Sequence, residues 1–194
     1  MIVAAARPES PAPMILIGGA SGMVVNVSHY LSMIWLTHFM KQMIEKGLPH
    51  AKAMHPQIVI AEAPDTLEPY ALLKNINFDG SGGVVSFVGI TRGRENEENV
   101  LHLEFDAWKE ELPKTLYKLA VEASEKYNLN FVVISHRVGK VYPEEPIVAI
   151  HVGAKHRKEA FKSCEWLIDS LKNQAPLWKK EVRENSIEWK GGLG

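Results

Sequence analysis

The pattern of hydrophobic and polar positions changes near residue 57. Before that point, apolar side chains recur at three- and four-residue spacing over 24–46, which predicts an amphipathic helix. After it, short alternating runs indicate strands, and longer helical stretches separate them. We therefore expect an N-terminal extension over 1–56, partly helical and of unknown function, followed by one domain over 57–194.

The expected domain combines strands and helices in an order typical of an α+β fold. Helices are predicted over 65–76, 110–127 and 155–173. The segment 91–99 is wholly polar apart from one glycine, so we expect an exposed loop, and such loops often carry function. Strands are predicted over 57–62, 84–90, 100–108, 131–138, 146–152, 177–182 and 187–190.

A glycine-rich run at 18–22 follows the short apolar segment Met14–Ile17 and suggests a phosphate-binding loop. It lacks the Lys-Ser or Lys-Thr pair of a P-loop and the full glycine spacing of a dinucleotide-binding fingerprint. We therefore interpret the run as a simple turn.

Composition and charge exclude several classes of protein. With 46% hydrophobic and 23% charged residues, the 194-residue chain has the composition of an ordinary globular protein. Its formal net charge of −1 gives no overall positive field to attract nucleic acid or an anionic membrane. Polar residues such as Asn26 and His38 interrupt the most apolar stretch, which makes it a poor membrane span. We expect neither nucleic acid nor membrane as a partner.

The sequence contains one cysteine, Cys164. This count rules out an intramolecular disulfide and fits a reducing compartment, so the cytoplasm is the expected location. Together with Phe161, Cys164 falls on the apolar face of the helix over 155–173, where a packing role is expected. No spacing of ligand residues indicates a metal site, so we expect neither a metal nor a cofactor.

Basic residues occur mainly at the ends of the predicted elements. Each, taken alone, is compatible with a solvated surface charge, and Lys172 would also suit the negative end of a helix dipole. His156 and Arg157 point more strongly to function, because they open a helix whose free N–H groups already favour an anion. The residues at element ends are Arg92, Arg94, His136, Arg137, His156, Arg157, Lys172, Lys179 and Lys180.

Several segments resemble, in the same order, motifs of the large, catalytic subunit of molybdopterin synthase. The final Pro-x-Trp-Lys-Lys-Glu block and the His-Arg pair at 156–157 are the most specific of them. The resemblance extends over about 57–189 and does not include 1–56. The matching segments are 83–92, 103–108, 136–139, 155–161, 168–173 and 175–181.

The resemblance implies a fold and a reaction. The fold would be a single two-layer α/β-hammerhead-like domain with mainly antiparallel strands. The reaction would transfer sulfur from the C-terminal thiocarboxylate of a ubiquitin-like small subunit to cyclic pyranopterin monophosphate. The assembly would be a homodimer of large subunits within a heterotetramer.

The resemblance also implies roles for individual residues. Lys172 and Lys179 would be catalytic. Arg92, His156 and Arg157 would bind anionic groups of the substrate. Lys180 and Glu181 would line the same binding segment.

Spacing restricts how these residues can meet. His156 and Lys172 lie sixteen residues apart on one predicted helix, which corresponds to roughly 24 Å at 1.5 Å per residue. One small substrate cannot contact both residues across that distance. Either the helix breaks, or His156 and Arg157 complete the site of a neighbouring protomer, which is the interpretation we favour.

Two other functions compete with catalysis. A non-catalytic homologue could bind a ubiquitin-like tail without turnover, although the presence of both Lys172 and Lys179 argues against it. Nucleic-acid binding through the basic clusters is disfavoured by the near-neutral charge and by the lack of a basic face that carries aromatic side chains.

Overall fold

A computed structural model describes residues 14–17, 23–26, 56–63, 65–95 and 97–191, with only the backbone described for the two N-terminal segments and for 190–191. The described residues form two helices, α1 (Leu112–Tyr127) and α2 (Arg157–Gln174), and two β-sheets. The strands are β1 (Met14–Ile17), β2 (Met23–Asn26), β3 (Gln57–Ala63), β4 (Gly83–Ile90), β5 (Arg94–Glu95), β6 (Glu98–Ala107), β7 (Leu129–Arg137), β8 (Gly139–Val141), β9 (Pro146–Ala154), β10 (Leu177–Arg183) and β11 (Ile187–Gly191).

The larger sheet has six strands in the order β2-β1-β3-β7-β9-β4. Only β3 and β7 run parallel among its pairs, and the other neighbours are antiparallel. The second sheet has the order β11-β10-β6-β5, with β8 pairing to β6, and is antiparallel throughout. The predicted α+β class with mainly antiparallel strands is confirmed.

Both helices pack on one face of the six-stranded sheet and form the main core. Leu116 and Leu119 of α1 and Leu167 and Leu171 of α2 are fully buried there, against sheet residues that include Ile134. Burial of each such side chain stabilises the fold by roughly 1.5–3 kcal/mol. α1 ends at Tyr127 and is capped by Asn128, which has a left-handed backbone (φ 52°) and donates its N–H to the Ser124 carbonyl. Phe161 is 62% exposed, so its predicted burial on α2 is wrong.

The helix predicted over 65–76 is wrong for most of its length. The structure contains only a short 3-10 helix there, Ala71–Asn75. Pro69 explains the difference, because proline has no N–H to donate and disfavours a helical conformation at the preceding Glu68. The Pro69 carbonyl instead faces the His151 ring nitrogen Nε2.

The polar segment 91–99 is also more ordered than expected. β5 pairs with the first residues of β6, and Glu97 (φ 70°) adopts the left-handed backbone conformation in the turn between them. The segment predicted as an exposed loop is therefore a short hairpin, and most of its described residues are exposed, as expected. Arg92 precedes this hairpin and forms an ion pair with Glu95 of β5, with 2.8 Å between Nη2 and Oε2.

The N-terminal segments add strands to the larger sheet. β1 pairs with β3 and with β2, so residues 24–26 of the predicted helix are in a strand, and that part of the prediction is wrong. Residues 27–46 of the predicted helix and the glycine run at 18–22 lie outside the described residues. The domain boundary at residue 57 stays a prediction. Among the described helices, none is long and apolar enough to cross a membrane.

Candidate active site

A cleft of about 220 Å³ opens between the end of α2, the middle of β10, β6 and the end of β4. Its walls are apolar, with Phe87 and Ile168 among them. The polar residues that line it include Thr91, Arg92, His136, Lys172, Lys179 and Glu181. Four of the seven site residues expected from the sequence therefore meet in one place.

The connection between α2 and β10 brings the two lysines together. Lys172 lies in the last turn of α2, where a cation suits the helix dipole. Residues Ala175 and Pro176 then turn the chain, and the Ala175 N–H closes the helix on the Leu171 carbonyl. Because only these two residues separate α2 from β10, the strand returns past the helix end and presents Lys179 to the same cleft.

Arg92 reaches the cleft from the end of β4, on the other side of the opening. Its side chain is 77% exposed and its guanidinium pairs with Glu95. The backbone just before it is fixed, since the Thr91 N–H donates to the Glu145 carbonyl and the Glu144 N–H donates to the Thr91 carbonyl. The cleft thus has a solvent-accessible guanidinium at one side and an exposed lysine at the other.

Glu181 is the buried acid of the cleft, with 5% of its surface exposed. The Arg183 Nε donates to Glu181 Oε1 at 2.6 Å, and Arg183 Nη2 lies 3.4 Å from Glu188 Oε2. These carboxylates raise the pKa of Arg183 above its usual value, with the Glu181 hydrogen bond as the largest cause. Sequence reasoning missed Arg183, although two-residue alternation along a strand places it on the face of Glu181.

His136 forms part of the cleft floor and was interpreted from the sequence only as a strand residue. It is fully buried at the end of β7, and its ring meets the Phe105 ring edge-on at 5.4 Å between centroids. Its Nδ1 lies 2.7 Å from the Arg137 carbonyl oxygen. Burial lowers the pKa of His136 to about 4, so the ring is neutral at pH 7.

Lys180 does not reach the cleft, contrary to expectation. Its Nζ donates to Glu104 Oε2 at 2.9 Å and lies 5.7 Å from the centre of the Trp189 ring. Neighbouring side chains of a strand point to opposite faces of the sheet. Since Lys179 and Glu181 line the cleft, Lys180 faces the other side.

His156 and Arg157 lie at the opposite end of α2 from Lys172. The helix runs without a break from Arg157 to Gln174, so the alternative of a broken helix is wrong. His156 borders a separate, more open cavity of about 530 Å³, together with the basic side chains Lys126, Lys155, Lys158 and Lys162. Within one chain, the structure does not bring His156 and Arg157 to the cleft.

Cys164 has the packing role expected for it. It is 5% exposed on the core side of α2, and burial raises the pKa of its thiol to about 11. In the part of the chain that the structure describes, no group of three His, Cys, Asp or Glu side chains could hold a metal ion. The polar groups that line the described cleft are those of lysine, arginine, histidine, threonine and the carboxylates of Glu95 and Glu181.

An α+β domain whose cleft gathers Arg92, Lys172 and Lys179 is suited to a small anionic substrate. A family model described as MoaE protein matches residues 62–174, which is more than half of the chain. The chain therefore belongs to the MoaE family, and the family predicted from the sequence motifs is confirmed. The matched residues include Arg92, His156, Arg157 and Lys172 but end before β10.

Individual relatives agree with this assignment. A molybdopterin synthase catalytic subunit from Emericella nidulans is 34% identical over 126 residues, which span 64% of this chain and 65%, just under two thirds, of the relative. The crystal structure of molybdopterin synthase from Staphylococcus aureus aligns with TM-score 0.63 and 27% identity, and covers 67% of this chain and 95% of that one. A complex of subunits 1 and 2 of molybdopterin-converting factor from Helicobacter pylori aligns with TM-score 0.56 and 25% identity, over 67% and 88% of the two chains.

Proposed function

We propose that this chain is the catalytic subunit of a molybdopterin synthase. It transfers sulfur twice, each time from the C-terminal thiocarboxylate of a ubiquitin-like small subunit to cyclic pyranopterin monophosphate, and so forms the dithiolene of molybdopterin. The convergence of Arg92, Lys172 and Lys179 on one cleft carries the proposal. Membership of the MoaE family, whose relatives include named molybdopterin synthase catalytic subunits, supports it.

The charges of the cleft suit both reactants. The thiocarboxylate of the small subunit and the phosphate of the pterin are anions, and lysine and arginine bind such groups through charge-assisted hydrogen bonds. We assign Lys172 and Lys179 as catalytic residues. Their ammonium groups hold the anionic thiocarboxylate and, once its sulfur has bonded to the pterin, stabilise the negative charge that forms on the tail oxygen when water adds to the acyl carbon. Collapse of this intermediate breaks the C–S bond, so that sulfur stays on the pterin and the tail is released as a carboxylate. Arg92, at the opening, binds the substrate anion.

The proposed partner is a ubiquitin-like small subunit whose tail enters the cleft. The aligned Helicobacter pylori structure is a complex of two subunits, which supports a two-subunit assembly. Phe87 and Ile168 give the cleft apolar walls along which an extended glycine tail can pack, with the terminal sulfur directed at Lys172. Glu181, held by Arg183, completes the wall beside Lys179.

We further propose that each site is completed by a second copy of the chain. The unbroken α2 keeps His156 and Arg157 roughly 24 Å from Lys172 in the same protomer. Both residues are exposed at a helix N-terminus, where an anion is stabilised. In a homodimer within a heterotetramer, they would contact the substrate held by the Lys172 of the other protomer.

The proposed compartment is the cytoplasm. The single cysteine, Cys164, is buried and packs in the core, so this fold needs no disulfide. A reducing environment therefore suits the protein.

The decisive experiment mixes the purified chain with a thiocarboxylated small subunit and cyclic pyranopterin monophosphate, and measures dithiolene pterin. We expect product from the wild type and a fall in rate of about 100-fold or more in Lys172→Ala, since an oriented charge is lost. Lys118→Ala, an exposed lysine of α1 outside the cleft, is the matched control and should keep the wild-type rate. A folded wild type that binds the small subunit but yields no product would favour the non-catalytic docking function instead.

A further inference from the structure

Glu181 places a negative charge in a cleft that is proposed to bind anions. It lines the cleft and is only 5% exposed. A carboxylate there opposes the field of the neighbouring lysines, and a buried carboxylate is costly unless a cation or a hydrogen-bond donor is paired with it. The proposed reaction uses Glu181 in no chemical step, so the way its charge is neutralised decides how it affects the cleft.

The strand β10 presents three charged side chains in a row on one face. Lys179, Glu181 and Arg183 are two residues apart in turn, and alternate residues of a strand point to the same face. Successive side chains on that face are about 6.6 Å apart along the strand, a distance that long charged side chains can bridge. The carboxylate therefore lies between two cations, and one of them, Lys179, is proposed as catalytic.

Arg183 binds the carboxylate of Glu181 through a short, buried hydrogen bond. Its Nε donates to Glu181 Oε1 at 2.6 Å, and the two side chains are 9% and 7% exposed. The other guanidinium nitrogens, Nη2 and Nη1, lie 3.4 Å from Glu188 on β11 and 4.0 Å from Glu98 on β6. Arg183 itself does not line the described cleft, so it neutralises Glu181 from outside.

We propose that Arg183 is a positioning residue for the sulfur transfer, because it holds Glu181 and so limits the pairing of that carboxylate with Lys179. This inference rests on the proposed function, in which Lys179 acts on anionic reactants. While the guanidinium neutralises Glu181, the charge of the Lys179 ammonium is directed to those reactants. Without Arg183, Lys179 would be the nearest cation to Glu181 on this face of β10, and the carboxylate would draw the ammonium away from the thiocarboxylate.

The three contacts of Arg183 separate this role from simple support of the sheet. Of its three carboxylate partners, only Glu181 lines the described cleft. Glu188 and Glu98 are 52% and 34% exposed, and their oxygens lie farther from the guanidinium than that of Glu181. Ion pairs with such exposed partners contribute little to stability. A role that depends on Glu181 alone is therefore a role in the cleft.

The test compares single and double variants by kcat for dithiolene formation, at saturating pterin and small subunit. In Arg183→Met we expect kcat to fall about 10-fold, a coupling of the size found between contacting charged groups. Glu181→Gln alone should lose less, because a neutral amide does not compete for Lys179. Adding Glu181→Gln to Arg183→Met should therefore raise kcat again, to within about 2-fold of Glu181→Gln alone. Such a rescue is not expected if Arg183 only supports the fold.

Glu98→Gln and Glu188→Gln are the matched controls, because each removes a different partner of Arg183. Both should keep kcat within about 2-fold of the wild type, since exposed ion pairs contribute little. Circular dichroism and binding of the small subunit establish that each variant is folded. If Arg183→Met does not fold, Arg183→Gln, which keeps a polar side chain without the charge, replaces it in the same comparison.

The contrary results are distinguishable. Absence of product from a folded wild type that binds the small subunit overturns the proposed function and this inference with it. Normal kcat in Arg183→Met overturns the inference alone, as does a double variant that is no more active than Arg183→Met. An equal fall of kcat in Glu98→Gln or Glu188→Gln also overturns it, because Arg183 would then act as a support between strands.

Discussion

Lys179 and Lys180 are adjacent in the chain but lie on opposite faces of β10. Lys179 lines the cleft, whereas Lys180 donates to Glu104 at 2.9 Å on the other side of the sheet. Glu104 also lies 3.6 Å from the Lys140 Nζ, and its hydrogen bond with Lys180 is the largest cause that lowers its pKa. Two identical side chains thus have different surroundings, and the alternation of the strand alone separates them.

Substitution of these two lysines should therefore have very different effects on activity. We expect Lys179→Ala to lower the rate of dithiolene formation about 100-fold, since a cation beside the reacting groups is lost. Lys180→Ala should leave the rate within about 3-fold, because partly exposed ion pairs contribute little. The two rates, measured at saturating small subunit, check the prediction. Equal losses in both variants would contradict the division of β10 into a catalytic and a structural face.

The sequence predicted most of the fold because periodicity reports which face of an element is buried. The apolar runs of β7 and β9, which are buried on both faces, and the helical spacing of α1 and α2 lie within a few residues of their observed positions. The helix predicted over 65–76 was wrong, because its apolar spacing is helical but Pro69 prevents a regular helix from forming there. Prediction also failed for β8, a three-residue strand whose partner is β6.

The candidate site was predicted less completely, because it depends on contacts distant in sequence. The resemblance to family motifs predicted a role for Arg92, Lys172, Lys179 and Glu181, and the structure brings these four residues to one cleft. His136 was interpreted only as a strand residue, because the sequence alone does not show that its ring lines a cleft. Lys180 was included among the expected site residues because the resemblance covers consecutive residues and does not show which face of the strand each side chain occupies.

Mixing two inactive variants tests whether neighbouring protomers share a site. His156→Ala and Lys172→Ala each remove one residue of every site, so either homodimer should be inactive. If His156 acts across the interface, a mixed dimer contains one intact site and one doubly substituted site. Random exchange of subunits makes half of the dimers mixed, and each mixed dimer has one intact site of two. Exchange should therefore restore roughly a quarter of the wild-type activity.

The control for this experiment pairs Lys172→Ala with Lys179→Ala. Both residues line the cleft of the same chain, so every mixed dimer carries one defect in each site and no activity should return. Failure of the His156 and Lys172 variants to complement, under conditions where subunits are shown to exchange, would contradict the shared site.

Cys164 should be chemically inert in the native protein. Burial raises the pKa of its thiol to about 11, so at pH 8 the reactive thiolate is scarce, and the side chain is only 5% exposed. A thiol-specific chromogenic reagent should label the native chain only at the rate of unfolding, while the denatured chain should react with one equivalent. Cys164→Ala should still form dithiolene, because the sulfur comes from the partner. Rapid labelling of the native protein, or loss of product in the folded variant, would contradict this assignment.

His136 should make the protein less stable as the pH falls from 6.5 to about 4. The unfolded histidine binds a proton near pH 6.5, whereas burial holds the folded pKa at about 4. Between these values the unfolded state binds more protons, so the free energy of unfolding decreases as pH is lowered. The shift corresponds to roughly 3 kcal/mol. Urea unfolding at a series of pH values measures it.

His136→Leu should abolish this part of the pH dependence, because leucine does not titrate. The free energy of unfolding of the wild type should fall by roughly 3 kcal/mol more than that of the variant between pH 6.5 and 4. Some dependence will remain in the variant from His151, whose pKa burial also lowers. Val132→Ala, on the same face of β7, is the control: it should destabilise the fold by a pH-independent amount and keep the wild-type slope. If the wild type and His136→Leu lose stability in parallel on acidification, burial does not lower the pKa of His136 in the folded protein.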